Sequence, residues 1–241
     1  YIDQDSDFLE LLDIYTGYRG DEPLQELILS IYRFIQSSVF PEKWLQEKVG
    51  QFEVDTSLDF GHTALGKVIL EEVQEALQAS FLKLKKVQRE LAKFPECSKF
   101  NQVIAEDILQ IGEVASITNS WDEVYQKVHQ ISFGKWPVDK KVTIEVKEEA
   151  KEIRDRVKKD IKEKVMPLIS STSEEIAKDF AVLYPILQKL AKLILEFSEN
   201  FKEKKREKNC IDFNDIEHLA LKLLVDEQGN KTQVSKKYEE R

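Results

Sequence analysis

The chain is 241 residues long, 41% hydrophobic and 34% charged, with eight glycines, six prolines and a formal net charge of −9. So few turn-forming residues exclude a many-stranded sheet protein, and this charge fraction suits long helices with narrow apolar stripes and broad solvated faces. The acidic balance argues against an indiscriminate nucleic-acid coat while leaving room for a local basic groove.

Apolar residues recur at helical spacing almost throughout, which predicts an all-α fold: an elongated array of about nine or ten helices. Ser6 caps the first, with Phe8, Leu11, Leu12 and Tyr15 on one face and an end near Gly17 to Gly20. Asp21 followed by Pro23 starts the second, because proline fits a first turn where its missing N–H is not needed. Its stripe is Leu24, Leu27, Ile28, Ile31 and Ile35, and Pro41 opens a shorter helix holding Trp44, Leu45 and Val49. From 63 to 94 the pattern Leu65, Ile69, Val73, Leu77, Leu84, Val87, Leu91 predicts a rod of about 45 Å at 1.5 Å per residue.

Phe94-Pro95 ends that rod, and the next helix carries Phe100, Val103, Ile104, Ile108 and Ile111. Ser120 with Glu123 has the spacing of a capping box and starts the helix of Val124 and Val128. Residues 132–146 break the period with Gly134 and Pro137, and Val142, Ile144 and Val146 alternate as in a short strand or extended loop. A charged helix over 147–169 follows, with Ile153, Val157, Ile161 and Val165 as its stripe; Thr172 and Glu175 form a second capping box. The helix they open meets Pro185, which is expected to kink or split it. It resumes through Leu187, Leu190, Ile194, Phe197 and Phe201 into the run KEKKREK. Asp212 caps a helix through Leu219 and Leu224, and Gly229 separates it from a terminal helix.

Cys97 and Cys210 lie too far apart in the chain to suggest a disulfide framework, so a cytoplasmic protein is expected. No apolar run approaches the ~20 residues a membrane span needs. Tyr1 in place of an initiator methionine, and a charged run at Arg241, are what a piece cut from a longer chain would show.

A search for catalytic chemistry finds no phosphate-binding GxxxxGK[ST] loop, no GxSxG elbow, no HExxH and no CxxC pair. Asp215 and His218 stand three apart on a helix, a spacing metal ligands can use, but exposed helical neighbours explain it as well, and no metal is expected. The segment LLVDEQ over 223–228 imitates a magnesium-binding Walker B ending; it continues a helical stripe into a Gly229 turn and reads as a decoy.

Basic clusters are the remaining lead. Lys83, Lys85, Lys86, Arg89 and Lys93 lie along the end of the longest helix, and Lys135, Lys140 and Lys141 surround Trp136. Arg154, Arg156, Lys158 and Lys159 sit on the next helix, and Lys202, Lys204, Lys205, Arg206 and Lys208 close another. Along a groove they would neutralise phosphates without reading sequence. Interleaved Glu90, Glu148, Glu149, Asp155, Asp160, Glu203 and Glu207 favour mixed-charge helix faces for at least part of the set. Trp136 either stacks on an exposed base or packs as a buried aromatic.

The run FKEKKREKNCIDFNDIEHLALKLL over 201–224 resembles the helix, basic turn and DF-[NSD]-D-[LI]-EH block of AddA (RexA). AddA is the helicase–nuclease subunit of bacterial AddAB, a UvrD-like superfamily 1 helicase. Earlier segments agree in order: DFLELLDIYTGYRGDEPLQELILSIYRFIQSSVFPEKWL over 7–45, then EIRDRVKKDIKE, then LQKLAKLILEFSENFKEKKREK. The resemblance implies that residues 1–211 are the helical 1B accessory subdomain inserted in the first motor domain. Residues 212–241 would then return towards the motor core, stopping before Walker B. Asp212, Phe213, Asn214, Asp215, Glu217 and His218 match family positions; capping accounts for Asp212 and Asp215, and no catalysis is assigned to them. ATP and magnesium would belong to the parent protein, with none expected in this segment. The implied partners are DNA, gripped through its backbone, and an AddB-type subunit. The rival implication is a helical scaffold that mainly docks AddB.

Overall fold

The computed structural model describes Leu11, Ile14 and residues 21–55, 57–139 and 145–239. Among them are nine α-helices and no sheet: α1 Glu22–Ile35, α2 Pro41–Gly50, α3 Ala64–Leu91, α4 Ser98–Ala115, α5 Trp121–Gln130, α6 Glu145–Asp160, α7 Ser173–Glu207, α8 Phe213–Leu224 and α9 Gln233–Glu239. The all-α expectation holds. The helix expected after Ser6 and the alternation at Val142 and Ile144 lie outside the described residues apart from Leu11 and Ile14; Val146 belongs to α6.

The chain divides into two compact units. One holds residues Val54–Phe180; the other takes the described residues of Tyr1–Glu53 and Ala181–Arg241. α7 begins in the first and continues into the second.

In the 54–180 unit, the α3 stripe Leu70, Val73, Leu77, Leu84, Val87, Leu91 is buried against Phe100, Ile104, Ile108 and Ile111 of α4 and against Ala150, Val157 and Ile161. The start of α3 presses on the short turn Phe60–His62. A Cβ on Gly66 would stand 1.9 Å from the Phe60 carbonyl oxygen, so only glycine fits there. The charged helix expected over 147–169 is interrupted. A π-turn at Ile161–Val165, closed by the Met166 N–H donating to Ile161 O at 2.9 Å, keeps both Ile161 and Val165 buried.

A polar knot ties three distant stretches of this unit together. The Asp59 carboxylate accepts from the N–H groups of Gly61 (2.8 Å), Trp121 (2.8 Å) and Asp122 (3.3 Å) and from the Ser120 hydroxyl (2.9 Å). Asp122 in turn accepts from the Ser173 N–H, the Ser173 hydroxyl accepts from the Phe60 N–H, and the Trp121 indole donates to Ser171 O at 2.7 Å. Ser120 therefore caps α5 through the Glu123 N–H, while its own hydroxyl hydrogen is given to Asp59. The Thr172–Glu175 box is reciprocal, as expected.

In the other unit, Leu11, Leu24, Ile28, Tyr32, Ile35 and Leu45 meet Leu190, Ala191 and Ile194 of α7, with Phe197 edge-on to Tyr32. Pro185 does not split α7, which runs unbroken past it. Pro185 and Ala181, whose carbonyl loses its donor to the proline, are both exposed, so water can take up the freed acceptor. Asp212 caps α8 by a full box: its carboxylate accepts from the Asp215 N–H at 3.0 Å, and Asp215 accepts from the Asp212 N–H at 2.9 Å.

Candidate nucleic-acid interface

The structure sorts the eighteen expected DNA contacts by what each side chain already touches. Arg154 is withdrawn from the set. It lies in the α6 stripe at 1% exposure, donating to both Asp107 carboxylate oxygens at 2.5 and 3.1 Å and to the Gly134 carbonyl at 2.8 Å. Phe133 and Trp136 cover its guanidinium, each with its ring centroid under 6 Å away. A guanidinium so enclosed cannot reach a phosphate. Burial pushes the Asp107 carboxyl up, against the pull of Arg154.

Lys205 is withdrawn for the same reason. At 9% exposure it donates to Asp215 at 2.6 and 2.7 Å and to Asp212 at 3.0 Å, and sits 4.8 Å from the Phe201 ring centroid. Burial works against its ammonium, but the bonds to Asp215 and Asp212 outweigh that and raise its pKa above the usual lysine range. Burial likewise works against the Asp212 carboxylate, and the Asp215 N–H and Lys205 outweigh it to hold that carboxyl low.

Trp136 is half-buried and packs 5.1 Å from Phe100, which fits the packing alternative; its indole N–H has no partner among the described residues. Lys158 is half-buried over Phe133, and Lys85 over Phe81. Arg156 and Lys159 pair with Glu152 and Glu163 one turn away, Lys204 with Glu207, and Lys202 with Glu42. These are the mixed-charge faces weighed above. Lys140 and Lys141 lie outside the described residues.

What remains open to solvent is concentrated on α3. Lys83, Lys86 and Arg89 are exposed and follow one side of the helix at spacings of three residues, a rise of about 9 Å, and exposed Lys93 stands in the turn just past the helix end. Lys86 and Arg89 make no ion pair among the described residues; Lys93 pairs with Glu90, and Lys83 with Asp160. Asp160 also accepts from Lys164 at 2.7 Å, chiefly why its carboxyl is held low, so this node carries two cations for one anion. Lys164 was not among the expected contacts: it joins the stripe only through the packing of α3 on α6. The same side of α3 carries Glu71, Glu72 and Glu75 in its first half, so the basic end coincides with the helix C-terminus, where cations also complement the dipole. Lys135, Arg206 and Lys208 are exposed without an ion pair among the described residues.

The family-motif residues serve the turn into α8. Asp212 and Asp215 are held by each other and by Lys205, and half-buried His218 meets the Gln36 carbonyl through Nε2 at 3.1 Å. Asp215 and His218 thus face separate partners, and no group of three or more His, Cys, Asp or Glu able to hold a metal occurs among the described residues. Asn214 is half-buried, while Phe213 and Glu217 are exposed. In the Walker B look-alike, α8 persists to Leu224 and Asp226 accepts the Gln228 and Asn230 N–H groups of a turn closed by Gly229 at φ 85°. Beyond α8 this segment makes only an isolated antiparallel bridge, Val225 with Lys231, and not a strand. No helix of the described residues is long and apolar enough to cross a membrane.

No protein-family model matches the chain. Curated relatives are each named as an ATP-dependent helicase/nuclease subunit. That of Clostridioides difficile (strain 630) is 33% identical over 241 residues, covering 95% of this chain and 19% of its own length. That of Thermoanaerobacter sp. (strain X514) is 36% identical over 253 residues, covering 100% and 20% respectively. That of Ruminiclostridium cellulolyticum (strain ATCC 35319) is 30% identical over 247 residues, covering 99% and 20%. The chain spans about a fifth of the length of the curated relatives it matches.

Proposed function

Because the chain belongs, as a segment, to the AddA family of ATP-dependent helicase/nuclease subunits, we propose that it is a non-catalytic helical accessory region of a cytoplasmic ATP-dependent DNA helicase and nuclease acting in double-strand break repair and recombination. Identity at 30–36% along nearly the whole chain is the observation that carries this reading. ATP and magnesium are assigned to residues elsewhere in the longer polypeptide, and an AddB-type subunit is its partner.

In this reading the region leans on the DNA near the point of strand separation. The solvent-facing cations Lys83, Lys86, Arg89 and Lys93 contact the phosphate backbone, holding the track without reading its bases. About 9 Å of helix from Lys83 to Arg89, with Lys93 in the turn beyond, matches roughly three to four phosphates of one strand at 3.4 Å per base. Four such contacts give a slope of about −3 to −4 in log affinity against log salt.

Fluorescence anisotropy with forked duplex DNA between low and moderate salt tests this. Micromolar or weaker binding that collapses with salt is expected. The pair Lys86→Glu and Arg89→Glu should weaken it and remove about two units of slope. Absence of binding at low salt would favour the scaffold that docks the partner subunit, and ATP hydrolysis by this chain alone would refute the non-catalytic assignment.

A further inference from the structure

Asp160 is a carboxylate shared by two lysines that come from different elements. Its Oδ2 accepts from Lys83 of α3 at 3.3 Å, and its Oδ1 accepts from Lys164 at 2.7 Å. The first pair spans 77 positions of chain and the second only four. With one ammonium on each oxygen, the two nitrogens stand no more than about 8 Å apart. Both cations stay in solvent: the lysine side chains are 52% and 71% exposed, against 28% for Asp160. The backbone arranges this meeting. α6 gives way after Asp160 to the π-turn Ile161–Val165, which keeps Ile161 and Val165 in the core and leaves Lys162, Glu163 and Lys164 exposed between them. The hydrogen bond from Lys164, and then that from Lys83, outweigh burial and hold the Asp160 carboxyl low, so the node is fully ionised at neutral pH.

An ordinary surface pair offers a phosphate no net charge. This node keeps one cation in excess, at the Lys83 end of the stripe made with Lys86 and Arg89. A lysine loses rotamer freedom when a phosphate fixes it, and one already held in place loses less. We infer that Asp160 is a positioning residue for the nucleic-acid backbone: it touches no phosphate itself, and holds Lys83 and Lys164 as a clamp that extends the α3 stripe onto the π-turn. The inference rests on the reading of α3 as a DNA contact and deepens it, adding Lys164 to the phosphate contacts.

The sign of one substitution separates positioning from simple charge. If charge alone mattered, removing an anion beside a phosphate-binding stripe would tighten binding. Forked-duplex affinity of the full-length AddA protein, followed by fluorescence anisotropy over a salt series, reads the difference. Asp160→Asn should instead weaken binding at least about twofold, because both ammoniums are released. Lys164→Gln should weaken it about three- to fivefold when Asp160 is present, and by less than about twofold when Asp160 is already Asn. Asp160→Ser repeats the measurement should Asp160→Asn fail to fold. Equal or tighter binding by Asp160→Asn overturns the inference, and so does a Lys164→Gln loss of the same size in both backgrounds. The pair Lys86→Glu and Arg89→Glu, measured alongside, separates the two claims. If that pair leaves affinity and salt slope unchanged, α3 is not a contact and both fall. If it weakens binding while Asp160→Asn tightens it, the clamp falls alone.

Discussion

The two units treat their polar and apolar groups in opposite ways. Residues 54–180 close on themselves: the α3 stripe is fully covered, and the charges inside it, Asp107 and Arg154, satisfy each other. The unit containing α8 spends its charged residues on fixing a turn, and leaves beside that turn a helix with nothing buried. Both units expose single large hydrophobics, such as Val68, Leu82 and Leu109 in one and Phe34 in the other, but α8 is a helix that exposes several and buries none of its residues. The two units show that a buried charge can serve two ends, sealing an interior in one unit and aiming a helix in the other.

The largest effect is expected at the sealed pair. Arg154→Met strands the Asp107 charge and should destabilise the 54–180 unit by about 3–5 kcal/mol, whereas Arg154→Met with Asp107→Leu should recover most of that loss. Native-state hydrogen exchange across α3, α4 and α6 reads this unit separately. A single variant as stable as the double would break the distinction between sealing and aiming.

Truncating one apolar side chain in each unit sharpens the contrast. Leu84→Ala removes a fully buried side chain and should cost about 2–5 kcal/mol. Leu219→Ala, on the open face of α8, should change the stability of this chain by no more than about 0.5 kcal/mol in either direction. Comparable losses in denaturant melts would mean that α8 is already packed.

A smaller effect concerns acid. Burial pushes the Asp59 carboxyl up, but the N–H groups of Trp121, Gly61 and Asp122 and the Ser120 hydroxyl together hold it below its ordinary 3.8. A depressed carboxyl lends stability in full above the ordinary value and loses it as pH falls through the folded value. Exchange of the Trp121 amide should therefore accelerate as pH drops below about 4 beyond the intrinsic pH trend, and Asp59→Asn should flatten that response. A wild-type profile identical to the variant's would remove Asp59 from the account.

Much of this was legible in the sequence. The stripes of α1, α3, α4 and α7 and the box at Thr172 are local patterns, and local patterns survive folding. What was not legible depended on partners far away in the chain. Arg154 counted as a surface cation because its neighbours are charged, yet it stands four residues after Ala150 and three before Val157, inside the buried stripe; Asp107 stands likewise between Ile104 and Ile108. Opposite charges set into two apolar stripes are the signal that was available. Lys205 gave less warning, since its partners lie across a turn whose geometry depends on Asn209 at φ 49°. The Asp59 knot joins residues 61 to 63 positions apart and has no local signature. Of the two outcomes expected at Pro185, a split does not occur, and the exposure of the freed Ala181 carbonyl removes part of the penalty for a helical proline.

The order of the chain has a consequence for its synthesis. Residues 54–180 form one continuous stretch, whereas the other unit needs lengths of polypeptide from both sides of it. On a ribosome the continuous unit is complete while the α7 residues that Leu24, Ile28 and Ile35 require are still untranslated. The early residues must wait, and the unit that folds meanwhile shortens the effective loop they have to close, lowering the entropy lost when the late half finally arrives.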